Sequence, residues 1–169
     1  MLAEFEKQKI ERDLIRRESR LTMIVSLALL ASIAAYTLAA YWFGGGVRSG
    51  LSRGEVQDAW NVLNIASIML IIVVLAVRKT IYFSPRLVRD DFTLEALLQR
   101  WRTIDIVLLA VAEIIAVFGL VITLLGMPFA RTFHFFVSGF LLTMINMPIA
   151  FKVRDKIRMF EKYAGKSIL

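Results

Sequence analysis

One acidic residue, Glu113, lies deep inside an apolar stretch of the sequence. It is nine residues into the stretch from 104 to 125, so at about 1.5 Å per helical residue it would lie ~13 Å deep, near the middle of a lipid bilayer. An ionised carboxylate is costly there, so the group must be protonated, paired or turned toward a wet cavity. Because no lysine or arginine lies at that depth in any apolar stretch, we expect a protonated carboxyl group that donates a hydrogen bond.

The same arithmetic selects hydrogen-bond partners for Glu113. Ser32 is about eleven residues into the first apolar stretch and Thr143 about ten into the fourth, so both reach about the level of Glu113. Asn146 lies one turn nearer the basic end of the fourth stretch. We therefore predict a candidate ion-binding site at Glu113, with Ser32, Thr143 and Asn146 as supporting polar groups.

The residues around Glu113 also resemble a known ion-binding helix. The residues that carry the resemblance are Ala112, Glu113, Ala116, Phe118, Gly119, Leu120 and Val121. They resemble the helix of the c subunit of rotary ATP synthases, over about a dozen of the 169 residues. That resemblance implies that Glu113 binds and releases a proton or a sodium ion. The residues themselves leave two other interpretations, a structural hydrogen-bond donor and a contact to a partner protein.

Small residues recur at helical spacing on the first and third apolar stretches. They are Ala112, Ala116, Gly119 and Thr123 beside Glu113, and Ala28, Ser32, Ala35 and Ala39 in the first stretch. Small side chains let helix backbones approach closely in a membrane. We therefore predict that the first and third helices touch, or that these faces meet between subunits.

Four apolar stretches must position these residues. They cover about 21–43, 60–77, 104–125 and 133–153, in a chain that is 58% hydrophobic with a mean hydropathy of +0.66. About 20 residues suffice to cross the ~30 Å hydrocarbon layer. The predicted fold is all-α, an integral membrane bundle of four transmembrane helices that forms a single domain over 1–169.

The distribution of Lys and Arg predicts the orientation. The segments 1–20, 78–103 and 154–169 are rich in both residues, whereas the other two connections hold only Arg48, Arg53 and Arg131. Positive charge collects on the cytoplasmic side, so both termini and the middle connection should be cytoplasmic, in a bacterial-type inner or plasma membrane.

Local signals place the ends of the helices. A charged N-terminal helix should run unbroken into the first span, because no Gly or Pro separates them. Gly44 stops that helix, and Ser52 with Glu55 forms a capping box that starts the second. Leu94, Leu97, Leu98 and Trp101 predict an amphipathic helix between the second and third spans. It would lie on the membrane surface, bend into the third span, or dock on the protein's own cytoplasmic face.

Several classes of chemistry are disfavoured by composition. The chain has no cysteine and a single histidine, His134, so we expect no metal site and no cofactor. No phosphate-binding loop or nucleophile with its base is found. The net charge of +7 fits membrane topology and lipid head groups better than nucleic acid, because no basic stretch is interleaved with stacking aromatics.

These observations favour a non-enzymatic membrane subunit or scaffold that packs, in lipid, with itself as a homo-oligomer or with partner membrane proteins. The alternative is a protein that handles a proton or cation through Glu113. A second alternative is a lipid-modifying membrane enzyme, for which only Arg131, His134 and dispersed cytoplasmic arginines offer polar groups near an interface.

Overall fold

The computed structural model describes residues 2–44, 50–81 and 94–147, together with Val153 and Ile157. Four helices account for nearly all of them: α1 is Leu2–Phe43, α2 is Arg53–Ile81, α3 is Leu94–Leu124 and α4 is Phe129–Asn146. The described ranges contain no strand. The all-α prediction is therefore confirmed for this part of the chain.

Three of these helices are long and apolar enough to cross a membrane. The stretches are Asp13–Phe43, Arg53–Thr80 and Glu95–Leu124. α4 is shorter, with 18 residues, and the predicted fourth span continues past its end into residues 148–152, outside the described part. The outward faces carry large exposed apolar side chains such as Ile24, Ile65 and Phe140, as a lipid-facing surface would.

The helix boundaries follow the capping chemistry. In the capping box, the Ser52 amide donates to Glu55 Oε2 (2.7 Å) and the Glu55 amide donates to Ser52 Oγ (3.3 Å), so α2 begins at Arg53, about two turns before the predicted span. Gly126, with a φ of 105°, follows the last turn of α3, a conformation that favours glycine at a helix end. α1 runs from the charged N-terminal segment into the apolar stretch without a break, as predicted.

The amphipathic stretch is not a separate helix, which corrects that part of the prediction. It forms the first turns of α3, because apolar residues at helical spacing continue into the third span with no Gly or Pro before Gly119. Leu97, Leu98 and Trp101 are buried there in one apolar cluster with Ile15 of α1. Two of the three alternatives thus describe this segment together, since it runs into the third span and packs on the protein itself.

α3 is the central helix of the bundle. Of its apolar stretch 44% is buried, against 17% for α1 and 11% for α2, and it packs against each of the other three helices. α1 ends, α2 begins, α3 ends and α4 begins at the same end of the bundle, called the hairpin end below. There Gly44 lies against Thr123.

Candidate functional site

Glu113 meets a side chain of α1 that the sequence analysis did not select. The Tyr36 hydroxyl donates a hydrogen bond to Glu113 Oε1 at 3.1 Å. Both side chains are only partly buried. The pair therefore lies at the surface of the bundle, at the level of its apolar stretches.

The three predicted supporting groups form hydrogen bonds within their own helices. Ser32 donates to the Ala28 carbonyl oxygen at 3.1 Å, Thr143 to that of Gly139 at 2.8 Å, and Asn146 to that of Leu142 at 2.9 Å. Ser32 lies one turn before Tyr36 on the same side of α1, which keeps it near the pair. Thr143 and Asn146 are buried in α4.

The small residues of α3 contact α4. Ala112, Ala116 and Thr123 are fully buried. A Cβ built on Gly139 would lie 2.8 Å from the Ala112 carbonyl oxygen, and one on Gly119 would lie 2.8 Å from Phe135 Cβ. Close approach of two backbones requires residues of this size, so this stripe holds α3 against α4.

α1 and α3 pack against each other, as predicted, but the small residues predicted for α1 are not its buried face. Ala28 and Ala35 are exposed, and Ala39 and Ser32 are only partly buried. α1 instead turns a different face inward, on which Ile33 and Ala40 are buried with Ala116 and Phe136. α1 is rotated in this way because the larger side chain of Ile33 fills the space between the helices that the alanines would leave open.

The rotation of α1 places its small residues beside the polar pair. Tyr36 is four residues after Ser32 and three before Ala39, so it borders the stripe at helical spacing. On α3, Ala110 is exposed one turn from Glu113. We call this surface the Glu113 face and define it by Ala28, Ser32, Ala35, Tyr36, Ala39, Ala110 and Glu113. It combines small residues with one hydrogen-bonded carboxyl group.

A simple signal would have found Tyr36. It is the only tyrosine well inside an apolar stretch, because Tyr41 stands at the end of α1, and its spacing from Ser32 places both on one side of the helix. A phenol is a strong hydrogen-bond donor that seeks a partner when buried. Depth counting alone missed it because Tyr36 lies four residues beyond Ser32, and the count ignores the reach of a long helical side chain back toward the N-terminus of its helix.

A second polar cluster joins α2 and α4 at the hairpin end. His134 Nε2 lies 3.1 Å from Asn64 Oδ1, Arg131 donates to Gln57 Oε1 at 3.4 Å and Gln57 Nε2 donates to Asn61 Oδ1 at 3.4 Å. The Trp60 ring meets the His134 ring edge-on, with centroids 6.2 Å apart. The sequence analysis selected Arg131 and His134 but not their amide partners on α2.

The described chain is thus an all-helical protein in which three helices are long and apolar enough to cross a membrane, with a partly exposed carboxyl and phenol pair between two of them. No protein-family model, no curated protein and no solved structure matches it.

Proposed function

We propose that the chain is a non-enzymatic integral membrane protein that associates with a further transmembrane helix, its own or a partner's, through the Glu113 face. The observation that carries the proposal is the partial exposure of Glu113 and Tyr36 on a surface lined with small residues. A carboxyl group facing lipid is costly, and a neighbouring helix that supplies a hydrogen bond relieves that cost.

The arrangement of the face supports helix association rather than simple lipid contact. Ala28 and Ala35 are exposed and offer no bulk, so a second helix can approach the backbone of α1 closely. The Glu113 Oε2 atom accepts no hydrogen bond from the described residues, so a donor on that second helix can supply one. Small residues for close approach and one polar group for a hydrogen bond are the usual components of a membrane helix interface.

Disulfide crosslinking tests the proposal directly, because the chain contains no cysteine. Single variants Ala35→Cys and Ala34→Cys are oxidised in membranes and resolved by non-reducing electrophoresis. Both positions are exposed, but at 100° per residue Ala34 points away from the Glu113 face. We expect a crosslinked product, either a dimer of the chain or an adduct with one partner, for Ala35→Cys only.

Replacing the same two alanines by leucine separates an effect on association from an effect on folding. Ala35→Leu should weaken association in mild detergent by about tenfold, while Ala34→Leu should leave it unchanged, because only the former obstructs the groove. Equal crosslinking at both positions, or free monomer with every variant at membrane-like protein density, would contradict the proposal.

A second function, proton or cation handling, is supported by one specific observation: the Glu113 carboxyl group has a phenol donor and partial exposure at the level of the apolar stretches. A group that exchanges an ion needs both a coordinating neighbour and access. Glu113→Gln distinguishes the two functions, since an amide keeps hydrogen-bonding capacity and cannot titrate. Association should survive this substitution, whereas ion flux into proteoliposomes, if it is the function, should be abolished.

A further inference from the structure

The polar cluster between α2 and α4 is built from three amides, one arginine and one histidine, with no acid in it. Its members are Gln57, Asn61, Asn64, Arg131 and His134, and we call it the hairpin-end cluster. Arg131 forms no ion pair with any acidic residue of the described chain. Arg131, Asn61 and His134 are exposed, so the cluster is open to the surface of the bundle.

The hydrogen bonds within the cluster occupy its acceptor atoms. Arg131 donates to Gln57 Oε1, and Gln57 Nε2 donates to Asn61 Oδ1. The Asn64 amide oxygen only accepts, so His134 Nε2 donates to it. All three amide oxygens therefore already have a donor inside the cluster.

The groups left over are hydrogen-bond donors. A guanidinium has five N–H groups in a planar fork and no acceptor, and Arg131 gives one of them to Gln57. The Asn61 amide nitrogen adds two donors, and the indole Nε1 of Trp60, buried beside His134, has no hydrogen-bond partner among the described residues. No side chain caps the N-terminus of α4, where Arg131 lies in the first turn. A ligand must supply acceptors and negative charge.

The position of the cluster identifies the source of that ligand. Tyr41, Trp42 and Phe43 are exposed at the same end of the bundle, with Tyr41 edge-on to Phe129 of α4. Exposed Tyr and Trp mark the level of lipid head groups, where phosphate oxygens are concentrated. Arg is suited to phosphate because its fork binds two oxygens at once.

We propose that the hairpin-end cluster binds the phosphate group of a membrane phospholipid, with Arg131 as the principal ligand and Gln57 as the residue that positions it. This site is separate from the Glu113 face and does not depend on association there. The phosphate belongs to a lipid head group in this proposal, because the exposed aromatic residues place the cluster at the lipid interface.

Native mass spectrometry in a non-ionic, phosphate-free detergent tests the site. The full-length protein is titrated with phosphatidylglycerol and, separately, with diacylglycerol of the same acyl chains, which lacks the phosphate. We expect Arg131→Gln to weaken phosphatidylglycerol binding about tenfold, which corresponds to ~1.4 kcal/mol. Arg53→Gln removes an exposed charge at the same end and should change binding less than about twofold.

Two further variants keep the test decisive. Arg131→Lys retains the charge without the planar fork and should lose part of the affinity, and Gln57→Leu should lose a similar part by releasing Arg131. Circular dichroism verifies that each variant keeps its helix content. Equal losses with Arg131→Gln and Arg53→Gln, or equal binding of diacylglycerol, would overturn the proposal. If Arg131→Gln left phosphatidylglycerol binding unchanged but weakened the binding of inorganic phosphate, the assignment of the phosphate to a lipid head group would be wrong.

Discussion

Gly139 lies where α3 and α4 approach most closely, and its replacement by alanine should destabilise the bundle. A Cβ at this position would lie 2.8 Å from the Ala112 carbonyl oxygen and 3.2 Å from Ala116 Cβ. Ordinary contact begins at 3.4 Å, so going from 2.8 to 3.4 Å requires the helices to separate by about 0.6 Å. The nearest atoms belong to a backbone and to an alanine, neither of which can move aside by changing rotamer.

The expected change in the free energy of unfolding combines two opposing effects. Overpacking of a well-filled core costs about 1–3 kcal/mol, while replacing glycine by alanine within a helix returns about 1 kcal/mol. We expect Gly139→Ala to lower the free energy of unfolding by a net ~0–2 kcal/mol, the difference between those estimates, and by the upper half of that range because the contacting atoms cannot move aside. Gly54→Ala is the matched control, because its new Cβ would meet only Ser52 Oγ at 3.9 Å.

The assay is unfolding of the purified protein in mixed micelles of a non-ionic detergent and dodecyl sulfate, followed by tryptophan fluorescence. Trp101 is buried and reports on the packed state. Gly54→Ala should be as stable as the wild type or more stable by about 0.5–1 kcal/mol. If Gly139→Ala proved as stable as Gly54→Ala, the close contact of α3 and α4, and the buried stripe of small residues that depends on it, would be wrong.

Three other experiments probe side-chain hydrogen bonds. Ser52→Ala removes the two hydrogen bonds of the Ser52 hydroxyl in the capping box, one to Glu55 Oε2 and one from the Glu55 amide, and should cost about 1 kcal/mol, seen as faster hydrogen exchange in the first turn of α2 only; protection equal to the wild type would argue against the cap. Thr132→Val breaks the 2.7 Å contact with Thr123 and should cost ~1 kcal/mol in the micelle assay, and no loss would mean that the hydroxyl pair is not formed. Tyr36→Phe, combined with Glu113→Gln in a double-mutant cycle, should reveal a coupling of about 0.6 kcal/mol, whereas additive effects would show that the pair does not interact.

Local features of the fold were predictable from the sequence because their causes are local. Ser52 and Glu55 are three residues apart, so the capping box depends on one turn of chain and the structure reproduces it. The continuity of α1 followed from the absence of Gly and Pro, and its end from Gly44. The place of the amphipathic segment was left open among three alternatives, because periodicity alone does not show whether a helix ends before an apolar stretch or runs into it; the structure continues it into α3.

The sequence by itself determined that long apolar helices exist and that Glu113 is the one acidic side chain deep within them, since both depend on composition and spacing alone. Only the tertiary structure decided which side chain meets Glu113. The rotation of α1 against α3 selects Tyr36, and that rotation depends on how Ile33 and Ala40 pack against Ala116 and Phe136. The same rotation leaves Ala28 and Ala35 exposed, because a helix has one face to bury and the larger side chains gain more from burial.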